Sequence, residues 1–309
     1  MTALLIVGAV LLLALAAQLV IAENCLRMVV HPVRYRAEET AATDRANGFG
    51  AAIDAYERDW ARRPFKIESD GADIAGEIIE NPAAKNKAVI VCHGHTVNRI
   101  ASLKYADIFY RAGYSLLIYD ERYFGESTGD FCTLGQKEAE DLATLYTFAK
   151  WQFGQDCAIG LHGESMGAAT ALLSLRSIRP AFVVADCPFA DSEQLFGQWI
   201  RGNLHIPPGP VLAVVRRIAL HRYGYRIRET SPIAAVRESE TPICFMHGRA
   251  DSLIPCSHSE ALFAACRNEK SELHLFDGAE HAQSLQSDPA GYERILLAFL
   301  ENVQDKTEL

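Results

Sequence analysis

Five short, dominantly apolar runs recur along the chain: "KAVIVC" (87–92), "YSLLIYD" (114–120), "CAIGLHG" (157–163), "AFVVADC" (181–187) and "TPICFMHG" (241–248). A strand with one face in water alternates apolar and polar residues, and these runs do not. They therefore predict strands buried on both faces, in a mostly parallel α/β sheet with helices on each side. The segments near 99–112, 136–153 and 166–179 read as the covering helices, and "ELHLF" (272–276) as a further strand. Upstream, "PFKIESDGADIAGEIIE" alternates around Asp70-Gly71, a pair suited to a tight hairpin turn, so the domain opens with antiparallel strands. The regular alternation breaks over 191–229, which reads as a small helical cap inserted above the sheet. There Phe196, Trp199, Tyr223 and Tyr225 mix with Arg216, Arg217, Arg222, Arg226 and Arg228. Such a basic cap suits acidic substrates or anionic lipid, or is simply the solvated face of amphipathic helices.

Residues 3–22, "ALLIVGAVLLLALAAQLVIA", are apolar over about the length that spans a bilayer. Residues 1–22 are read as an N-terminal membrane anchor. A cleaved signal peptide is the rival, since Ala14-Leu15-Ala16 has the small-residue pattern of a cleavage site, although no Lys or Arg precedes the apolar run. Arg27, Arg34 and Arg36 follow the run and place the rest of the chain on the cytoplasmic side. Residues 23–62 read as a linker and an amphipathic helix, and 63–303 as the main domain.

The 30 Lys+Arg against 39 Asp+Glu give a net charge of -9, which leaves no basic surplus for nucleic acid. The eight cysteines are scattered, several within apolar runs, and read as free buried thiols. Nothing in the sequence specifies an oligomeric state.

The segment "GLHGESMGAAT" (160–170) sets one serine between Gly163 and Gly167, after a strand-like run and before an Ala-rich helix. At a sharp strand-to-helix turn the central residue is lifted out of the sheet in a strained conformation, and side chains at the bracketing positions would collide with strand and helix. Ser165 is the candidate nucleophile, and the amide of Met166 points where an oxyanion would form. A serine hydroxyl needs a base, and the base an orienting acid, in the chain order Ser, acid, His. Asp251 follows one strand and His281 the next. Glu280, Asp277 and Asp186 are rival carboxylates, Asp186 being the better placed of them at the end of an earlier strand. In "VIVCHGHTVNR" the amide of His95 is the candidate second oxyanion donor, with Gly94 leaving room for a carbonyl. His93 and His95 lack a third ligand at metal-binding spacing, so neither metal nor cofactor is expected.

Taken in order, "HGHTVNR", "YDERYFGESTG", "HGESMGAAT", "ADCPFAD", "SPI", "HGRADSLIP" and "GAEHAQS" resemble the α/β-hydrolase superfamily over about residues 63–303. They look closest to its prolyl-oligopeptidase-like and serine-aminopeptidase-like esterases, in particular a bacterial group of membrane-anchored hydrolases. The resemblance implies Ser165, Asp251 and His281 as a catalytic triad and the amides of His95 and Met166 as the oxyanion hole. It implies that Asp120, Arg122, Gly125 and Ser127 are structural. The expected activity is cleavage of a carboxylic ester, in a small-molecule acyl substrate, through an acyl-enzyme. A peptidase or acyl-peptide hydrolase, a lipid thioesterase, and a membrane-tethered scaffold with a vestigial triad stand beside it.

Overall fold

The structure, a computed structural model, describes residues 1–304. Among them, strands β1 (Arg62–Ser69), β2 (Ala72–Ile79), β3 (Lys87–Cys92), β4 (Ser115–Tyr119), β5 (Ala158–Glu164), β6 (Val183–Asp186), β7 (Ile243–Gly248) and β8 (Glu272–Phe276) form one sheet, in the order β1-β2-β4-β3-β5-β6-β7-β8. The helices are α1 (Thr2–Val30), α2 (Ala37–Asp44), α3 (Gly50–Arg58), α4 (Leu103–Arg111), α5 (Gln136–Phe153), α6 (Met166–Ser174), α7 (Ser192–Leu204), α8 (Pro208–Tyr223), α9 (Pro232–Arg237), α10 (Ser257–Ala265), α11 (Ser284–Ser287) and α12 (Pro289–Gln304).

β1 and β2 are an antiparallel hairpin turning at Asp70-Gly71, where both residues have positive φ (42° and 72°). β2 also pairs antiparallel with β4, and every later pairing is parallel. The central strands are buried on both faces, as the apolar runs require. Val89, Val91, Leu116, Ile118 and Val184 pack against α4 and α12. Their neighbours Ala88, Ile90, Cys92, Leu117 and Val183 pack on the other side against α5, α6, α9 and α10. Alternate residues of one strand thus feed two cores.

Helix α6 stops at Ser174 rather than near 179. The Ser174 hydroxyl donates back to the Ala171 carbonyl (2.7 Å), and Pro180 disfavours helix at Arg179. The amphipathic stretch before β1 is two helices that meet near Gly48 (φ 94°), and it buries Ile53, Tyr56 and Trp60 in the first core.

The cap consists of α7 and α8, which make a third core with the end of α1: Cys25, Leu26 and Val30 meet Phe196, Val215 and Ala219 there. The segment after Ala22, read above as a linker, is docked on this body. Helix α1 continues to Val30, its Val30 carbonyl accepts from the Cys132 amide (3.0 Å), and the Tyr35 amide donates to Thr96 (2.9 Å). The cap arginines are largely matched by carboxylates. Arg216 and Arg228 both hold Glu193, Arg222 holds Glu23 and Arg226 holds Glu229. This favours the solvated-face reading of the basic cap.

The turn after β4 is built from buried polar groups. Asp120 accepts from the Arg99 and Glu126 amides (2.7 and 2.9 Å), and a side chain on Gly125 would strike its carboxylate at 2.2 Å. Arg122 forms a bidentate pair with Asp141, at 2.6 Å for both bonds. Asp141→Ala would leave a buried guanidinium without its partner, and is expected to lower stability by about 3–5 kcal/mol. A shift of the denaturation midpoint in detergent measures this.

Candidate active site

Ser165 stands between β5 and α6 with φ 56° and ψ -114°, a conformation that L residues seldom adopt. It is held there from both sides. Its amide donates to the Asp186 carbonyl (2.8 Å), and its carbonyl accepts from the Ala169 amide (3.0 Å). The flanking glycines are required by contact. A Cβ on Gly163 would lie 2.3 Å from the Gly167 backbone, and one on Gly167 would lie 2.4 Å from the Cys92 carbonyl oxygen.

Five strand ends converge here. Ser165 Oγ lies 2.8 Å from His281 Nε2, and His281 Nδ1 lies 2.7 Å from Asp251 Oδ2. A carboxylate only accepts, so Nδ1 carries the proton and Nε2 offers its lone pair to the serine hydroxyl. Asp251 is buried, which alone would favour its neutral form. Hydrogen bonds from His247, His281 and the Ile254 amide outweigh that, and hold its carboxyl well below the ordinary carboxylate range.

His247 was not singled out from the sequence. It lies on β7, four residues before Asp251, and its Nε2 donates to Asp251 Oδ2 (3.1 Å) and to the Ile254 carbonyl (2.8 Å), while Nδ1 accepts from Ser259 Oγ (2.7 Å). The only sequence signal is a histidine closing an apolar run. With the Leu253 and Ile254 amides on Oδ1, at 3.0 and 2.8 Å, Asp251 accepts four hydrogen bonds.

The rival carboxylates lie elsewhere. Asp277 is exposed and pairs with Arg249 (2.7 Å), and Glu280 is exposed. Asp186 sits beneath the turn, accepting from Ser284 Oγ (3.0 Å) and near Tyr105 (3.3 Å). Burial and the neighbouring Glu164 raise its carboxyl to about 6. Glu164, in turn, binds Tyr105 (2.6 Å) and Lys104 (2.7 Å), so a buried polar layer supports the residue that precedes Ser165.

On the loop after β3, His93 Nε2 accepts from the Glu121 amide (2.9 Å), and Nδ1 therefore donates to the Gly94 carbonyl (2.7 Å). Burial lowers the pKa of both His93 and His95, which favours neutral rings. His95 Nε2 reaches the Val29 carbonyl of α1 (3.0 Å). His95, Ser165 and Met166 border one cavity of about 190 Å³, whose remaining walls are apolar: Phe189, Phe196 and Trp199 from the cap side, Ile254, and Cys25, Met28 and Val29 of α1.

Among the described residues, two groups bring metal-ligand atoms within 4.8 Å of one another, Cys187 with Asp251 and His281, and Cys244 with Glu272 and His274. In the first, the carboxylate and imidazole are engaged with each other, and in both, burial pushes the cysteine thiol well up and keeps it protonated. These donor sets suit hydrogen bonding better than thiolate ligation.

Residues 83–205 match the family described as serine aminopeptidase, S33, and residues 214–296 match the dienelactone hydrolase family. The protein YqkD of Bacillus subtilis is 36% identical over 241 residues, covering 77% of this chain and 78% of its own. YNL320W of Saccharomyces cerevisiae, named a membrane protein, is 26% identical over 235 residues, covering 76% and 77%. The Pyrococcus furiosus esterase Pf2001 has the same fold, with a TM-score of 0.66 at 22% identity, covering 80% of this chain and 93% of that one.

The donors around Asp251 make a pH-dependent expectation. Its folded pKa is depressed, so its stabilising contribution is complete above the unfolded value near ~3.9 and is lost as pH falls toward the folded one. His247→Ala removes one donor to a buried charge. It should lower stability at neutral pH by about 1.5–3 kcal/mol and move this part of the acid loss to higher pH. Acid titration followed by circular dichroism reads both changes.

Proposed function

Because this chain belongs to the α/β-hydrolase superfamily, we propose that it is a serine hydrolase that cleaves carboxylic esters through an acyl-enzyme. The reading rests on one observation above all: the continuous chain of hydrogen bonds from Ser165 Oγ through His281 to Asp251, at 2.8 and 2.7 Å. Ser165 Oγ bonds to the ester carbonyl carbon as its proton passes to His281 Nε2, and Asp251 stabilises the resulting imidazolium. The carbonyl oxygen gains the electron pair and is received by the amides of His95 and Met166. Collapse of this intermediate breaks the bond to the alcohol, which leaves with the proton from His281. Water then repeats the sequence on the acyl-enzyme, releasing the acid and restoring Ser165.

The cavity supports an acyl group over a peptide. Among the described residues that line it none is Asp, Glu, Lys or Arg, so a free peptide ammonium would find no ionic partner there. Thioesters present the same acyl group and differ only in the leaving atom. Helix α1 is long and apolar enough to cross a bilayer, and we read it as a single-pass anchor, with the hydrolase body on the cytoplasmic side that Arg27, Arg34 and Arg36 favour. A small-molecule acyl substrate fits the cavity and the acidic charge, and a nucleic acid does not.

A small fluorophosphonate should label the full-length protein, and Ser165→Ala should abolish labelling and reduce kcat on a p-nitrophenyl ester by about 10⁴-fold or more. Folded wild-type protein that takes no label would sink the reading and favour the scaffold. Faster turnover of aminoacyl amides than of esters would favour the peptidase.

A further inference from the structure

We infer that the last two turns of α1 form a wall of the acyl pocket, and that the substrate is an acyl ester held in the same bilayer as this helix. The inference rests on the serine-esterase reading above and names its substrate class.

The helix changes character along its length. From Thr2 to about Ile21 its side chains are mostly exposed and apolar, and twenty residues at 1.5 Å each span ~30 Å, the thickness of a hydrocarbon core. Its first charged residue, Glu23, is held by Arg222 of the cap at 2.6 Å. From Ala22 onward the helix packs on α8, and Ala22, Cys25, Leu26 and Val30 are buried.

Cys25, Met28 and Val29 are spaced i, i+3 and i+4, so they share one helical face, and all three border the cavity that holds Ser165. The contact reaches the catalytic machinery directly. The Val29 carbonyl, near the end of the helix where no following turn can satisfy it, accepts from the ring of His95, whose amide is assigned to the oxyanion. Met28 from α1 and Leu253 from the loop after β7 remain 49% and 55% exposed, leaving an apolar rim to the cavity.

Met28 lies only seven residues beyond Ile21, or ~10 Å along the axis. A pocket built from water-facing elements alone would place no such apolar track between membrane and serine. Here an acyl chain can keep part of its length in lipid while its carbonyl reaches Ser165, without crossing water.

The test uses the full chain reconstituted in phosphatidylcholine vesicles. A long-chain alkyl fluorophosphonate with a diazirine in its tail forms the Ser165 Oγ–P bond as fluoride leaves, and illumination then crosslinks the tail. Mass spectrometry should find crosslinks within residues 23–30. Crosslinks confined to α7 and α8 would overturn the wall and leave the serine hydrolase reading standing, whereas no label on Ser165 would overturn both. In a second arm, a two-chain fluorogenic ester that does not exchange between vesicles should be hydrolysed at least tenfold faster when it shares a vesicle with the protein than when it is supplied in protein-free vesicles. Equal rates would overturn delivery from the bilayer.

Discussion

The site depends on one close approach of backbone to backbone. Gly167, at the start of α6, lies so near the end of β3 that a single carbon added to it would fall 2.4 Å from the Cys92 carbonyl oxygen and 2.6 Å from that of His93. This contact presses the serine turn against the loop that carries His95, so that Met166 and His95 face one cavity. It also forces Ser165 into its positive-φ geometry, whose cost is met by the backbone bonds to Asp186 and Ala169. Without side-chain-free positions at 163 and 167, strand, loop and helix would each have to retreat, and the hydroxyl would leave hydrogen-bonding range of His281.

Beneath this turn lies a set of buried polar groups that sense one another. Lys104 and Tyr105 hold Glu164, Tyr105 also approaches Asp186, and Ser284 of α11 closes the set. Unpaired, each would be costly in an apolar interior; satisfied together, they fix the orientation of β5 and β6 where these deliver Ser165. The Asp251 side is built on the same logic with the opposite outcome. Donors there are in surplus and the carboxylate stays ionised, whereas burial beside Glu164 lifts Asp186. Two buried aspartates thus differ in charge preference because their neighbours differ.

Much of this was legible in the chain because it follows from local pattern. Apolar runs identified the doubly covered strands, Asp70-Gly71 marked the hairpin, and the glycine bracket around Ser165 predicted the collisions that the structure contains. What escaped depends on distance through space. His247 looks like the end of a buried strand, and only the folding back of the following loop onto its ring makes it a partner of Asp251. The cap arginines look like a basic patch until folding sets Glu193 of the neighbouring cap helix and Glu23 of α1 against them. Cys25, Met28 and Val29 extend an apolar run, and composition does not distinguish an exposed side chain of α1 from one that lines the cavity holding Ser165.

On the proposed reading of α1 as both anchor and pocket wall, one unbroken helix would set the height and bearing of the cleft above the lipid by helical geometry rather than by a tether's slack. Each residue gained or lost between Ile21 and Cys25 would shift the bilayer edge by ~1.5 Å and swing the membrane-borne half of the helix by about 100° relative to the docked half. On that reading the span could drift freely in its apolar composition, while the count of residues at its lower end would be tied to the position of Ser165.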